Sequence, residues 1–248
     1  MIGVFDSGIG GLSVLAALRE LMPEQNYVYL ADSGYAPYGE RDTDYVLARS
    51  RVCLQALLDK GCSMVVIACN TATALAAKTL RAENSLLPLV GIEPAIKPAA
   101  ALTKNGHVGV LATQGTLTSS KFQTLLAQIQ AEHPNKQFHL HAPSGLALAI
   151  EQQDQAQIDA LVGDACQALL DKACDTAVLG CTHYPLVLDK FIERLGSGVT
   201  LVDPARAVAL QAQKLLPEAL KNKMGKGSLA LHSTGDIAPL LALSALKN

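Results

Sequence analysis

The sequence predicts an α/β fold made of two pseudo-symmetric three-layer domains with mainly parallel sheets, facing each other across a cleft that holds the functional site. Three observations lead there. Short, β-rich apolar runs alternate with longer segments of helical period, as expected when each crossover helix covers one face of a parallel sheet. The chain also repeats itself in outline: Asp59-Lys60-Gly61-Cys62 and the apolar run ending in Cys69 have a counterpart in Asp171-Lys172-Ala173-Cys174 and the run ending in Cys181. Its 248 residues, 50% of them apolar, supply core for one large domain or two small ones at roughly 100 to 200 residues each.

Taken in order, Met1 to Phe5 reads as a buried strand and Asp6-Ser7-Gly8-Ile9-Gly10-Gly11 as a turn. Leu12 to Leu21 follows as a helix whose apolar face carries Leu12, Leu15, Ala16 and Leu18, stopped by Pro23. Tyr27 to Ala31 is a second strand, Asp32 to Gly39 a polar loop rich in turn formers, and Asp42 to Asp59 a helix closed by Gly61. Met64 to Ala68 is a third strand, followed by Cys69-Asn70-Thr71 and a helix from Ala72 to Leu80. Val90 to Ile92 is a short strand leading to Glu93-Pro94 and another short helix. The strand His107 to Leu111 precedes Ala112-Thr113-Gln114-Gly115-Thr116, with Ser119 or Ser120 capping the next helix. Gly3 to Ser7 is echoed by Gly109 to Thr113. Leu201 to Pro204 ends a last strand of the second half, Ala205 to Leu216 is a helix, Lys221 to Gly227 a solvated linker, and Leu229 to His232 a final short strand.

Composition removes several classes of function. Twenty basic and 22 acidic residues leave a formal charge of -2, which provides no field for a polyanion, so no nucleic-acid partner is expected. No apolar run approaches the roughly 20 residues that span a bilayer, and no basic leader precedes the first strand, so neither membrane insertion nor export is expected. Six cysteines are too sparse for a disulfide scaffold in a chain with this much core. Reduced thiols and a cytoplasmic location follow, with a small molecule as partner.

In parallel α/β sheets ligands bind beyond the C-terminal strand ends. That rule selects Asp6 and Ser7, then Cys69, Asn70 and Thr71, then Thr113 and Thr116, then Cys181, Thr182 and His183. The Gly8 to Gly11 turn has neither the spacing of a dinucleotide fingerprint nor a Gly-Lys-Ser/Thr ending, and Asp6 makes it a poor cradle for phosphate. Cys53, Cys62, Cys166 and Cys174 read as small core residues. Cys69 and Cys181 differ, because each ends a strand and is followed by a polar pair. A helix N-terminus there would depress a thiol from its reference pKa of about 8.5.

Two such thiols on opposite sides of one pocket suit the inversion of a carbon bearing hydrogen: one removes the proton from one face, the other returns one to the opposite face, and the roles exchange for the reverse reaction. A zinc site at Cys69, Cys181 and His183 lacks any recognised ligand spacing, so no metal is expected. A Cys-His hydrolase would leave the second thiol without a task. A noncatalytic amino-acid binding protein would explain the cleft but neither thiol.

Four motifs together carry a resemblance: Asp6-Ser7-Gly8-Ile9-Gly10-Gly11, Asp32-Ser33 with Pro37-Tyr38-Gly39, Ala68-Cys69-Asn70-Thr71-Ala72, and Gly180-Cys181-Thr182-His183-Tyr184-Pro185. In this order and over most of the chain, they resemble the glutamate racemases of the aspartate/glutamate racemase superfamily. The resemblance implies a cofactor-independent interconversion of L- and D-glutamate that supplies D-glutamate for peptidoglycan. It further implies that Cys69 deprotonates the D isomer with help from Asp6, and Cys181 the L isomer with help from His183. Ser7, Pro37, Tyr38, Gly39, Asn70, Thr71, Thr113, Thr116 and Thr182 match the substrate-holding segments, with Asp6 and His183 beside them.

One stretch departs from the family pattern. Where relatives commonly carry a Cys-Pro segment and then a carboxylate near the second thiol, this chain has Ala142-Pro143-Ser144-Gly145 and, further on, Glu151. Glu151 is the matching carboxylate in a register that is open by one residue, and the altered segment leaves aspartate as the alternative substrate. The chain starts at its first strand, without the N-terminal extension of members activated by a peptidoglycan precursor, so that activation is not expected. Residues 1–96 and 207–248 are expected to form the first domain, by analogy with the family fold, and 97–206 the second; a homodimer is compatible with the family.

Overall fold

The first strand shows how the pattern becomes architecture. In β1 (Ile2–Asp6) Ile2 and Val4 enter one apolar cluster and Phe5 another on the opposite face, because successive side chains of a strand point to opposite sides. β2 (Tyr27–Ala31) divides in the same way, Tyr27 and Tyr29 against Val28 and Leu30. So does β3 (Met64–Ile67), Met64 and Val66 against Val65 and Ile67. Both faces are apolar and both must be covered. Helices Leu12–Leu21 and Ala205–Lys214 supply Leu15, Leu18 and Val208 to one; helices Thr43–Asp59 and Ala77–Glu83 supply Val46, Leu54, Leu57 and Leu80 to the other.

The computed structural model describes residues 1–221 and 225–245. Residues 222–224 of the expected linker lie outside them. β4 (Leu89–Gly91) is followed by β5 (His107–Ala112), β6 (Gln137–His141), β7 (Thr176–Gly180) and β8 (Thr200–Val202), and β9 (Leu229–Ser233) then joins the first sheet. Among the described residues every strand pair is parallel, in two sheets ordered β4-β3-β1-β2-β9 and β6-β5-β7-β8. Read from its other end, the second sheet runs β8-β7-β5-β6, which is the order β4-β3-β1-β2 of the first. The echoed segments of the sequence are therefore topologically equivalent: β1 corresponds to β5 and β3 to β7. Cys69 and Cys181 follow β3 and β7, at equivalent positions. One core cluster runs through both halves, joining Val4 and Leu15 to Leu146, Leu179 and Phe191.

Differences from the sequence reading have local causes. β6 is an edge strand of sequence Gln-Phe-His-Leu-His with no fully buried residue, so it lacks the apolar run that marks the inner strands. The helix expected from Ala72 to Leu80 is two helices, Asn70–Leu75 and Ala77–Glu83, because Ala76 with φ of -116° interrupts the repeat. Ser119, of the two candidates, is the cap: its Oγ accepts from the Phe122 N–H at 3.1 Å. β9 pairs with β2 in register from Tyr27↔Leu229 to Ala31↔Ser233, which local periodicity does not reveal.

All six cysteines are free and buried. Burial pushes Cys53 up to about 12, Cys166 and Cys174 up to about 11, and Cys62 and Cys69 upward as well. The folded chain thus keeps protons that the unfolded chain releases above about pH 9, and the sign follows: stability is complete below that pH and falls as pH rises toward the folded values. Each such group contributes a slope of about 1.4 kcal/mol per pH unit inside its window. Urea midpoints under reducing conditions should fall steeply from pH 8 to pH 10.5; a flat profile would show that the thiols are not held neutral by the fold.

Candidate active site

Strand ends bring the first thiol to its neighbours. Cys69 caps the helix that follows β3, accepting the Ala72 N–H at 3.4 Å, while its thiol reaches Ser7 Oγ at 3.7 Å. Ser7 Oγ lies 3.5 Å from Asp6 Oδ1. Asp6 is fully buried and accepts from the Ser7 N–H (2.8 Å), the Gly11 N–H (2.6 Å) and the Thr182 hydroxyl (3.1 Å). Asp6 therefore meets Cys69 through Ser7, and at the same time ties β1 to the loop carrying the second thiol. Burial raises the Asp6 carboxyl above its ordinary value, with the Glu151 charge adding and His183 opposing. Cys69 is pushed up by burial first and by the Asp6 charge second, and a charge on Cys181 raises it further.

The second thiol has a different setting. Cys181 follows β7, but the chain bends into the short 3-10 turn Tyr184–Val187, and no α-helix opens at the thiol. The expected helix N-terminus is thus present at Cys69 and absent at Cys181; Pro185, two residues from His183, makes the turn tight. Cys181 Sγ lies 3.7 Å from His183 Nδ1, and His183 Nε2 lies 2.6 Å from Glu151 Oε1, which also accepts the Ile9 N–H at 2.7 Å. Glu151, the last residue of helix Leu146–Glu151, is the carboxylate that reaches the imidazole. Burial disfavours a charge on His183, yet its hydrogen bonds to Cys181 and Glu151, with the charges of both, hold the imidazole well above its ordinary range.

The glycine-rich turn acquires its explanation here. A Cβ on Gly8 would lie 1.7 Å from Glu151 Oε1, and one on Gly10 would lie 2.6 Å from His183 Nδ1. These glycines let the turn approach the His183-Glu151 pair, and the Tyr29 hydroxyl fixes the turn by donating to the Gly8 carbonyl at 2.7 Å.

Of the site residues singled out in the sequence, all but Asp6 and Thr116 line one cavity, whose wall also includes Ala36 and Ala147. Cys69 and Cys181 both face it. Thr116 is fully buried behind Thr113, in a row where Thr71 Oγ1, Thr113 Oγ1 and Thr116 Oγ1 follow one another at 2.9 Å each; it holds Thr113 and does not line the cavity. Tyr38 lines the cavity and donates its hydroxyl to Asp32 Oδ2 at 2.5 Å. Ala36 and Ala147 carry no chemical signature, and no sequence signal could have marked them. No lysine or arginine stands among the lining residues.

Asn70 stands out because neither its amide oxygen nor its amide nitrogen has a partner among the described residues, although both are buried. Such a group costs roughly 1–3 kcal/mol until something pairs with it. Asn70→Ala is therefore expected to leave the ligand-free protein as stable or up to about 1 kcal/mol more stable, while weakening amino-acid binding at least tenfold. Thermal melts with and without glutamate would check both halves, and a variant that loses stability but retains affinity would refute them.

Comparison with known proteins follows the same lines. The family model described as Asp/Glu/Hydantoin racemase matches residues 12–212. A glutamate racemase of Ralstonia pickettii is 45% identical over 98% of this chain and 86% of its own length. The crystal structure of Escherichia coli glutamate racemase with L-glutamate and the activator UDP-MurNAc-Ala superimposes with a TM-score of 0.83 at 31% identity, over 100% of this chain and 94% of that one. The structure of Francisella tularensis glutamate racemase with D-glutamate gives 0.81 at 25% identity, over 99% and 92%. With two equivalent parallel sheets, two thiols on one cavity and these relatives over nearly its whole length, the chain is an isomerase of the Asp/Glu/hydantoin racemase family.

Proposed function

We propose that this protein is a glutamate racemase that interconverts L- and D-glutamate by proton transfer at Cα between two thiols, without a cofactor. One observation carries the reading: Cys69 and Cys181 end equivalent strands of two equivalent sheets and face a single cavity. Relatives hold L-glutamate in one structure and D-glutamate in another, which supports a pocket that accepts both enantiomers.

In this mechanism Cys69 removes the Cα proton of the D isomer, and Cys181 removes that of the L isomer. In each direction the thiol acting as base must first give up its proton to an acceptor, while the opposite thiol keeps its own and donates it to the other face of the Cα carbanion. For Cys69 the path runs through Ser7 Oγ to Asp6, whose raised pKa makes it a competent acceptor. For Cys181 the acceptor is His183, with Glu151 stabilising the imidazolium. Ser7, Asn70, Thr71, Thr113, Thr182 and the backbone of Pro37 to Gly39 supply neutral donors and acceptors for the substrate's carboxylates and ammonium. Held in fixed directions, such groups stabilise charge developing on the α-carboxylate more strongly than water would.

We further take residues 1–96 with 207–248 as one domain and 97–206 as the other, a division supported by the pairing of β9 with β2. Supply of D-glutamate to peptidoglycan in the cytoplasm completes the reading. Free thiols are consistent with that compartment, and among the described residues no helix is long and apolar enough to cross a membrane.

The test is to incubate each pure enantiomer of glutamate and of aspartate in deuterated water. Loss of optical activity with deuterium at Cα, faster for glutamate, is expected. Faster turnover of aspartate would reassign the substrate, and binding without exchange would leave a noncatalytic amino-acid binding protein.

A further inference from the structure

We propose that Asp32, together with Arg49 and Thr234, forms a positioning unit that sets the cavity wall of Pro37, Tyr38 and Gly39 from the far end of the chain; this rests on the racemase reading above.

The carboxylate of Asp32 is fully buried and takes four donors. Arg49 donates from Nε to Oδ2 at 2.9 Å and from Nη2 to Oδ1 at 2.7 Å, Tyr38 donates its hydroxyl to Oδ2 at 2.5 Å, and Thr234 donates to Oδ1 at 2.9 Å. None of Asp32, Arg49 and Thr234 lines the cavity, whereas Tyr38 does. The arrangement is thus directed at the wall, and its members are one step removed from the substrate.

Two independent contacts extend the chain of support in opposite directions. On one side, Thr234 follows β9 directly; its N–H donates to the Ala31 carbonyl at 3.0 Å and its hydroxyl accepts the Gly34 N–H at 3.2 Å. A Cβ on Gly34 would come within 2.8 Å of the Thr234 carbonyl oxygen, so the loop after β2 and the turn after β9 are interlocked. On the other side, the Gly39 carbonyl accepts the Gly115 N–H at 2.9 Å, and a Cβ on Gly39 would lie 2.8 Å from Thr113. The wall segment is therefore clamped between the second sheet's loop and a carboxylate held by the C-terminal strand. An aspartate with four donors in fixed directions has a single low-energy orientation, and through the Tyr38 hydroxyl it transmits that orientation to the wall. Arg49 also lies over the Tyr35 ring, 3.4 Å from its centroid, which a lysine cannot reproduce at a planar, bidentate site.

The wall lines the same cavity that both thiols face, so a loosened wall should affect binding of both enantiomers and leave proton transfer by the thiols intact. Thr234→Val removes the hydroxyl's bonds to Asp32 and to the Gly34 N–H while preserving shape, and Thr234→Ser restores both. The expected result is a KM raised about three- to tenfold for both L- and D-glutamate in Thr234→Val, with kcat within twofold, an unchanged pH profile, and recovery in Thr234→Ser. Arg49→Lys should move in the same direction and further. Wild-type KM in Thr234→Val, or a lost kcat at constant KM, would overturn the proposal. Equal defects in the Val and Ser variants would overturn it too, since the hydroxyl would then be irrelevant. If the unaltered protein failed to racemise glutamate, the racemase reading itself would fall, and that outcome is separate from any difference among the variants.

Discussion

Cys181→Ala is expected to lose racemisation in both directions by about 10²- to 10⁴-fold, the range for removal of a positioned acid or base, and to retain hydrogen exchange at Cα of D-glutamate alone. The two enantiomers have equal free energy in an achiral solvent, so kcat/KM must fall equally in both directions and cannot report which face a thiol serves. Exchange in deuterated water can. With Cys69 still in place, the D isomer can give up its proton and take back a deuteron on the same face after the thiol has exchanged with solvent. Cys69→Ala should show the mirror result, exchange confined to L-glutamate. Polarimetry with mass spectrometry measures both, and exchange of the same enantiomer by the two variants would end the assignment of faces.

Gly8→Ala should be the most damaging change that leaves every polar side chain in place. The added methyl would sit 1.7 Å from Glu151 Oε1, with the carboxyl carbon at 2.5 Å. Glu151 must then leave both His183 and the Ile9 N–H. The cost to stability should be about 1–3 kcal/mol, typical of overpacking, and kcat should fall about 10- to 100-fold as the base loses its orienting partner. The proton affinity of His183 should fall as well, because Glu151 is one of the groups that raise it. A double variant, Gly8→Ala with Glu151→Ala, isolates the cause: if the damage runs through this contact, the second change adds little to the first. Gly198→Ala, with nothing within 4 Å of its Cβ among the described residues, is the neutral control. Full additivity of the Gly8 and Glu151 effects would refute the account.

Much of the architecture was legible in the residues because it depends on near neighbours in sequence. The alternation in β2 and β3 is written in adjacent side chains, and the repeat of an apolar run ending in cysteine needs only comparison of two segments. The list of polar residues at strand ends followed from the same logic, and all of it except Asp6 and Thr116 faces the cavity. The edge strand β6 escaped because an edge needs no apolar run on both faces. The return of β9 to the first sheet was expected only from the family analogy, because a five-residue segment by itself states nothing about which sheet edge is free.

What the sequence by itself determined, then, was the α/β class, the duplicated units and the pair of thiols, since burial and strand or helix period are properties of a local window. Only the tertiary structure decided the long-range contacts that hold the groups around those thiols. Ile9 meets Glu151 across 142 residues and Asp6 meets Thr182 across 176, while Tyr38 aims its hydroxyl at a carboxylate shared with Thr234. Such contacts depend on how whole elements pack and on where a glycine permits close approach, and that information belongs to the assembled chain and to no single segment of it.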